Sequence, residues 1–229
     1  MNQQLERDIL QWDVKSWAKA LQYWERKIDF STTSKALELG GREGGLSLWL
    51  ALKGISTVCS DLSCAKKTAE PLHKRYGVSQ SIQYQDIDAT HIPYENHFDI
   101  IVFKSIIGGI GSSNNKQAQD NVFREIYKAL KPGGRLLFAE NLVASPVHRK
   151  LRKRFVKWGE SWRYITTSEL NVFLRDFDSV EIHSSGVLGT FGRTEKQRNV
   201  LSALDNILFN HLCKDSWKYI AYGIATKPE

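Results

Sequence analysis

The sequence of 229 residues predicts an α/β protein with a doubly wound, seven-stranded and mostly parallel sheet. From Lys35 onward, short apolar runs alternate with segments of helical periodicity, which is typical of parallel strands joined by crossover helices. The run 36–45 (ALELGGREGG) places a glycine-rich turn between the first of these strands and the helix that follows it. Both observations favour an open, layered α/β fold.

Each predicted element follows from its local pattern. Residues 5–28 carry apolar side chains at steps of three and four, which predicts one N-terminal helix covering the core. The run 131–134 (KPGG) predicts a helix stop and a turn before the next strand. The predicted strands are 35–39, 55–60, 80–85, 98–104, 134–140, 179–187 and 217–226. The other predicted helices are 44–53, 63–76, 116–130, 146–158, 167–175 and 194–212, those after 142 forming helical insertions of the C-terminal half.

The composition fits a single domain spanning 1–229. Of the residues, 41% are hydrophobic, and no run reaches the roughly 18 apolar residues of a membrane span. The opening run lacks the regions of a signal peptide, so we expect a soluble, cytoplasmic protein. The three cysteines, Cys59, Cys64 and Cys213, show neither zinc-site spacing nor an even count, so reduced thiols are expected.

The net charge of +7 raises the question of a nucleic-acid partner. The excess is spread along the chain, and its densest run is 148–157 (HRKLRKRFVK). Apolar positions at helical spacing interrupt that run, which favours the solvated face of an amphipathic helix over a patch for an anionic partner. We therefore expect no nucleic-acid partner.

The turn from Glu38 to Gly45 is the first candidate for ligand binding. Glycine has no side chain and tolerates positive φ, so such a turn lets backbone approach a ligand closely. Asp61 follows the second predicted strand, 21 positions beyond Gly40, where a carboxylate can accept hydrogen bonds from both ribose hydroxyls. Alternatively, Asp61 is the N-cap of the helix that begins near Ser63. Both features fit a dinucleotide as well as another adenosine cofactor.

A third motif separates these cofactors. The run 86–94 (DIDATHIPY) is followed by Phe98 and Asp99, which open the fourth strand, and the run 129–137 (ALKPGGRLL) precedes the fifth. Together with the glycine turn, these motifs resemble the class I S-adenosylmethionine-dependent methyltransferases over residues 35–141. The resemblance implies methyltransferase activity and an antiparallel last strand. It also divides the chain into a cover helix (1–34), a cofactor-binding core (35–141) and substrate-side insertions with the last strands (142–229).

The resemblance implies that S-adenosyl-L-methionine is the cofactor. By resemblance Asp88 bonds the adenine amino group, with Asp86 as the alternate if the register shifts by two, and Glu38 lies near the amino-acid end of the cofactor. Arg42 stands where the family usually has its middle glycine, so it either points outward or crowds the cofactor. The expected cofactor-binding residues are Glu38, Gly40, Gly41, Gly44, Asp61, Leu62, Asp86, Ile87, Asp88, Lys104 and Ser105.

Methyl transfer chiefly requires alignment of the acceptor with the methyl group, so a general base is optional. The candidates for one are Lys104, His91 and His148, because imidazole titrates near neutrality and a desolvated lysine can lose its proton. His91 can instead cap its own loop. Metal-dependent members need a carboxylate after the fourth strand, where this chain has Lys104, so we expect no metal.

The acceptor is expected to contact segments outside the resemblance, namely the N-terminal helix, 142–166 and 188–213. Their aromatic and basic side chains suit a planar or anionic small molecule, and oxygen is the expected acceptor atom. These side chains are Trp158, Trp162, Arg163, Tyr164, Phe191 and Arg193. The alternatives are an RNA methyltransferase, a NAD-dependent enzyme and an inactive cofactor-binding partner protein. The sequence leaves the oligomeric state open, with a homodimer as one option.

Overall fold

A computed structural model describes residues 2–155 and 161–229, in which seven strands form one sheet. The strands are β1 (Lys35–Leu39), β2 (Ser56–Asp61), β3 (Ile82–Asp86), β4 (Phe98–Lys104), β5 (Leu130–Asn141), β6 (Ser179–Ser185) and β7 (Ile220–Thr226). Their order across the sheet is β3-β2-β1-β4-β5-β7-β6. β7 runs antiparallel to both of its neighbours, while the other pairs are parallel. The predicted doubly wound sheet with an antiparallel last strand is confirmed.

Helices cover both faces of this sheet. They are α1 (Gln3–Leu10), α2 (Val14–Lys27), α3 (Gly45–Ala51), α4 (Ala65–Arg75), α5 (Ile107–Ile110), α6 (Lys116–Ala129), α7 (Pro146–Phe155), α8 (Thr167–Phe173), α9 (Glu195–Leu204) and α10 (Asn210–Leu212). The alternation of strand side chains divides the core. Ile100 and Val102 face the cluster that contains the α2 and α3 side chains, whereas Ile101 and Phe103 face the cluster that contains those of α6 and α8.

The single N-terminal helix predicted over 5–28 is wrong in one respect, because the structure has two helices there. Gln11 and Asp13 take positive φ values of 67° and 47°, which breaks the helix between α1 and α2. The predicted apolar stripe is nevertheless buried. Trp24, for example, is 1% exposed and donates its indole N–H to the carbonyl of Gly223 on β7 at 3.0 Å. The break therefore changes the direction of the chain without exposing its apolar face.

The predicted turn at 131–134 lies inside β5 instead of before it. The pairing of β4 with β5 shifts from Phe98 opposite Leu130 to Ile100 opposite Arg135, so extra residues bulge from β5. Gly133, at φ 70°, provides the left-handed residue in the bulge. The chain does bend at Pro132 and Gly133 as predicted, but β5 pairs with β4 both before and after this bulge.

The carboxyl ends of β1 to β5 form one edge of the sheet, which we call the carboxyl edge. β7 is antiparallel, so its first residue, Ile220, pairs with Asn141 at this edge. The last residue of β6, Ser185, pairs with Ile220 from the other side. The whole connection 186–219 is therefore inserted at the carboxyl edge. It contains α9, a π-helical turn (Asp205–Phe209) and α10 where one helix over 194–212 was predicted.

None of the helices in 2–155 and 161–229 has the length and apolar character needed to cross a lipid bilayer.

The contact between α1 and α3 predicts a sensitive glycine. A Cβ at Gly45 would lie 2.0 Å from the carbonyl oxygen of Ile9, so Gly45→Ala must push α1 away from the core. We expect a loss of about 1–3 kcal/mol in the free energy of unfolding, measured by urea denaturation. Gly77→Ala is the control, because its site has φ 69° but open space, and about 1 kcal/mol is expected. Equal losses in the two variants would contradict the close packing of α1 on α3.

Candidate active site

The centre of the carboxyl edge lies between β1 and β4, where the strand order reverses. Ligands of doubly wound sheets bind in the crevice at this point. The segment after β4 packs on the loop after β1, since a Cβ at Gly40 would lie 2.4 Å from Cγ2 of Ile106. Two loops that lead to opposite faces of the sheet therefore meet here, and the predicted site residues Gly40, Gly41, Gly44, Lys104 and Ser105 belong to them.

Glu38 anchors the loop after β1 through hydrogen bonds to the start of α3. Its carboxylate is 3% exposed and accepts the backbone N–H groups of Leu46 and Ser47, at 3.1 and 2.7 Å, in the first turn of α3. A Cβ at Gly41 would lie 2.9 Å from this carboxylate, which explains the glycine there. Burial raises the pKa of Glu38 to about 7, although these hydrogen bonds oppose the rise. Glu38 thus holds the loop in place from within the fold.

Asp61 fixes the outer part of the same loop. Its Oδ2 accepts the backbone N–H of Arg42 at 2.8 Å, and its Oδ1 accepts that of Leu62 at 2.7 Å. Gly40, Arg42 and Gly44 have φ values of 62°, 49° and 73°, so Arg42 adopts the left-handed backbone that its family position favours for glycine. The side chain of Arg42 is exposed. The alternative of Asp61 as helix N-cap is not observed, because α4 begins at Ala65 after Cys64.

Besides Asp61, four predicted residues lie on the β2 and β3 side of the edge. Asp86 accepts the N–H of Ala65, the first residue of α4, at 2.9 Å. It therefore caps the helix for which Asp61 was the alternative N-cap. Asp88 is exposed, and its Oδ1 accepts both the N–H and the hydroxyl of Thr90. Between these aspartates Ile87 is 6% exposed and packs in the core. Leu62 is the opposite case, with 70% of its surface exposed after β2.

Lys104 ends β4 and extends toward the N-terminal helices. Its Nζ lies 4.6 Å from the ring centroid of Trp12 and 5.1 Å from that of Trp17, within cation–π distance of both. Burial lowers the pKa of Lys104 to about 8, and the charges of Glu38 and Asp13 limit the fall. The ammonium form therefore predominates at neutral pH.

Ser105 and Glu140 hold the segment that follows Lys104. Ser105 has φ 58°, and its hydroxyl accepts a hydrogen bond from the side-chain amide Nδ2 of Asn141 at 2.6 Å. Glu140 is fully buried on β5, where it accepts the N–H groups of Ile106 and Ile107 at 2.9 and 2.7 Å. It also accepts the N–H of Asn141, at 2.8 Å. Burial raises the pKa of Glu140 to about 7. Its oxygens are therefore used by the backbone of the loop.

The two histidine candidates differ from Lys104 in their surroundings. His91 is exposed, and its backbone N–H donates to the carbonyl of Asp88. His148 is 1% exposed, and its Nε2 donates to the carbonyl of Val187 at 2.7 Å while Nδ1 lies 2.6 Å from the hydroxyl of Ser145. Burial lowers the pKa of His148, which favours the neutral ring. Both of its ring nitrogens are thus occupied within the fold.

The predicted acceptor-side residues are used mostly for packing. Trp162 packs on Gly108, and the guanidinium of Arg163 is paired with Glu169. The Tyr164 ring lies 3.9 Å from the guanidinium carbon of Arg152. Phe191 stacks on His148 at 4.5 Å between ring centroids, whereas Arg193 is exposed. Trp158 lies outside the described residues.

Sequence reasoning did not assign a functional role to Trp12, Asp13, Trp17 or Glu140. Of these four, Trp17 belongs to the apolar stripe of 5–28 that predicts packing on the core. Asp13 is 1% exposed in the folded chain, but the sequence does not show this burial, so no sequence signal marks the residue.

The buried carboxyl groups predict a characteristic pH dependence. Glu140 titrates higher in the folded chain than in the unfolded chain, so its protonated form stabilises the fold below about pH 4.5 and this contribution is lost as pH rises through 7. We expect Glu140→Gln to remove a decline in the free energy of unfolding of up to about 1.4 kcal/mol per pH unit between pH 5 and 7. Urea denaturation across this range measures it. Glu95→Gln controls for loss of an exposed charge, and parallel curves for wild type and Glu140→Gln would contradict the burial effect.

Comparisons with known proteins agree with this geometry. Residues 37–138 match the family model described as a methyltransferase domain. The chain is 32% identical over 126 residues to the methyltransferase GfsG of Streptomyces halstedii, covering 53% of this chain and 42% of the relative. It is 31% identical over 124 residues to the ubiquinone/menaquinone biosynthesis C-methyltransferase UbiE of Shewanella sediminis, covering 52% and 46%. The match therefore spans less than half of each relative.

The fold resembles that of a solved methyltransferase over most of its length. The structure of Haemonchus contortus phosphoethanolamine N-methyltransferase 2, in complex with phosphomonomethylethanolamine and S-adenosylhomocysteine, aligns with a TM-score of 0.65. At 18% identity it covers 93% of this chain and 53% of that protein, which supports the fold alone. The family match shows a methyltransferase domain over residues 37–138, and the strand order of the sheet agrees with the α/β fold of the class I S-adenosylmethionine-dependent methyltransferases.

Proposed function

We propose that this chain transfers a methyl group from S-adenosylmethionine to an oxygen atom of a small-molecule acceptor. The observation that carries the proposal is the ammonium of Lys104, held by Trp12 and Trp17 beside the crevice. A cation there stabilises an oxygen nucleophile as it loses its proton, and it repels a protonated amine acceptor. The relatives include enzymes named for carbon and nitrogen methylation, so the oxygen assignment rests on this electrostatic argument.

The residues of the carboxyl edge fit the cofactor. Each oxygen of Asp61 accepts one backbone N–H and retains a lone pair for a ribose hydroxyl. Leu62 follows directly and leaves an apolar side chain uncovered, which suits the face of an adenine ring. Asp88, or Asp86 in its place, is proposed to accept a hydrogen bond from the adenine amino group, since both are exposed at the carboxyl end of β3. The bound cofactor supplies the sulfonium methyl group.

The roles of the remaining loop residues follow from their contacts. We propose that Glu38 positions the loop after β1, because its carboxylate already accepts two backbone N–H groups of the first turn of α3. Gly40 and Gly44 give the loop its left-handed backbone, and Gly41 leaves room for the Glu38 carboxylate. The Ser105 hydroxyl ties the segment after Lys104 to the side chain of Asn141. Ile87 supports the adenine side from the core without itself being exposed.

Among the candidates for handling the acceptor proton, the surroundings favour Lys104 over the histidines. With its pKa near 8, Lys104 acts mainly as a cation that stabilises the acceptor oxygen. His148 is engaged at both ring nitrogens and His91 lies on an exposed loop beyond β3, so these two remain weaker proposals.

An RNA acceptor finds less support. In the basic run of α7, Arg152 turns inward and donates to the carbonyls of Leu142 and Val143, so its guanidinium is already engaged within the fold. The crevice also lies beneath the N-terminal helices, which suits a small molecule better than a nucleic-acid strand.

The cofactor assignment predicts a specific loss on removal of one carboxylate. Asp61→Ala should weaken binding of S-adenosylhomocysteine by about 10- to 100-fold, because hydrogen bonds to a charged group are lost along with the anchor for Arg42. Isothermal titration calorimetry measures the affinity. Asp29→Ala, an exposed carboxylate that precedes β1 at the opposite edge, should bind as wild type does. Unchanged affinity in Asp61→Ala would overturn the ribose role.

The proposed activity predicts where a labelled methyl group goes. With labelled S-adenosylmethionine, phenol and 4-hydroxybenzoate as small probes, and total RNA in a parallel reaction, we expect label in an ether product of a small probe. Label found in RNA alone would support the RNA alternative instead. Binding of the cofactor without transfer to any acceptor would support the inactive partner protein, and absence of binding would refute the proposal itself.

A further inference from the structure

A buried carboxylate, Asp13, lies outside every motif that defines the family. It occupies the corner between α1 and α2 and has φ 47°, a strained backbone for a residue other than glycine. Glu195 of α9 holds this corner by accepting the N–H groups of Asp13 and Val14, at 3.2 and 2.8 Å. The side chain is 1% exposed. A side chain of α9, far away in sequence, therefore stabilises the corner between α1 and α2.

One oxygen of Asp13 is occupied and the other is not. The hydroxyl of Tyr219 donates to Oδ2 at 2.7 Å and lies 2.8 Å from the hydroxyl of Ser16. Oδ1 has no hydrogen-bond partner among the described residues, although it is fully buried. Leaving a buried carboxylate oxygen unpaired costs on the order of 1–3 kcal/mol, so the site is suited to a ligand that brings a donor.

The neighbours of Asp13 belong to the proposed active site. Trp12 precedes it and Trp17 follows one helical turn later, and both rings contact the ammonium of Lys104. The indole N–H of Trp17 is also buried without an acceptor among the described residues. Tyr219 stands directly before β7 at the carboxyl edge. An unpaired acceptor, an unpaired donor, two aromatic rings and a cation thus meet beside the end of β4.

We propose that Asp13 is a catalytic residue that binds the hydroxyl of the acceptor and removes its proton during methyl transfer. This inference rests on the proposed function and deepens it. The acceptor class is a phenol or another planar hydroxy compound, because the partly exposed ring of Trp12, which directly precedes Asp13, offers flat apolar surface. Asp13 would be the proton acceptor, and Lys104 would stabilise the negative charge that develops on oxygen.

The step balances with no further reactant. The acceptor O–H bond breaks and its proton moves to Oδ1 of Asp13, while an oxygen electron pair forms a bond to the methyl carbon. The bond from that carbon to the sulfonium sulfur breaks, and its electron pair stays on sulfur. Asp13 then returns its proton to solvent after product release. A positioned base of this kind contributes typically 10²- to 10⁴-fold to a rate.

The charge of Asp13 is set by groups on several elements. Burial raises its pKa to about 6, the hydroxyls of Tyr219 and Ser16 oppose the rise, Arg198 lowers it further and Glu195 raises it. Lys104, from β4, faces the same corner, since the Asp13 charge supports its ammonium form. The neutral ring of His148 stacks on Tyr219 behind this pair, 6.1 Å between centroids. Asp13 is thus ionised at neutral pH and protonated below about pH 6.

The test compares Asp13→Asn with wild type on phenol as acceptor. We expect kcat to fall at least about 10²-fold in Asp13→Asn and the acid limb of the pH–rate profile near pH 6 to disappear. Thiophenol, which is largely ionised at neutral pH, should still be methylated by this variant, because no base is needed. S-adenosylhomocysteine should bind with wild-type affinity in calorimetry, which verifies that the variant is folded.

Tyr219→Phe is the matched variant, because it removes the hydroxyl that bonds Asp13 but leaves the carboxylate. It should keep most of the activity and move the acid limb to higher pH. Wild-type rates and an unchanged pH profile in Asp13→Asn would overturn the inference, as would equal losses with phenol and thiophenol. Transfer by wild type only to acceptors without a hydroxyl would overturn it too. Failure of the proposed function differs from all of these, because wild type would then show no cofactor-dependent methyl transfer.

Discussion

Carboxylates at the ends of strands fasten the loops of the carboxyl edge, and the rest of the site depends on this constraint. Glu38 of β1 holds the first turn of α3. Asp61 of β2 holds the loop that follows β1, and Asp86 of β3 holds the start of the helix that follows β2. Glu140 of β5 holds the segment after β4. Three of these four carboxylates therefore fix the loop of the neighbouring strand.

This arrangement explains how a strained loop can persist. Left-handed backbone at Arg42 and Ser105 is unfavourable by about 1–2 kcal/mol each, and hydrogen bonds from neighbouring strands hold both residues in place. The same arrangement concentrates negative charge around Lys104, whose ammonium form is favoured by Glu38 and Asp13. The carboxylates that hold the loops therefore also keep Lys104 in its charged ammonium form at the end of β4. The proposed oxygen specificity is a consequence of that electrostatic balance.

Much of this fold could be predicted because its signals are local. The strand β1 and the strand β4 have the predicted bounds, since apolar runs in central parallel strands are unambiguous. The break between α1 and α2 could not be predicted, because no glycine or proline marks it and Glu195, far away in sequence, stabilises the corner. The bulge in β5 was similarly decided by pairing with β4, which overrides local turn preference.

The site divides along the same line. Asp61 was predicted from its place after the second strand and Asp86 only through the family resemblance. Which of them caps α4 depends on the relative position of two strands. Arg163 was expected near the acceptor, and its ion pair with Glu169 could not be predicted, because an arginine in the sequence carries no sign of its partner. Asp13 was missed for the complementary reason, since its neighbours Lys104 and Tyr219 are brought to it only by the folded chain.

The most direct measurement of this account is amide hydrogen exchange of the protein with and without S-adenosylhomocysteine. The account predicts slower exchange in the ligand complex at residues 40–45, 61–65 and 104–107, with β6 unchanged because it lies at the far end of the sheet. Saturating ligand that protects none of these three segments, or that protects only amides away from the carboxyl edge, would contradict it.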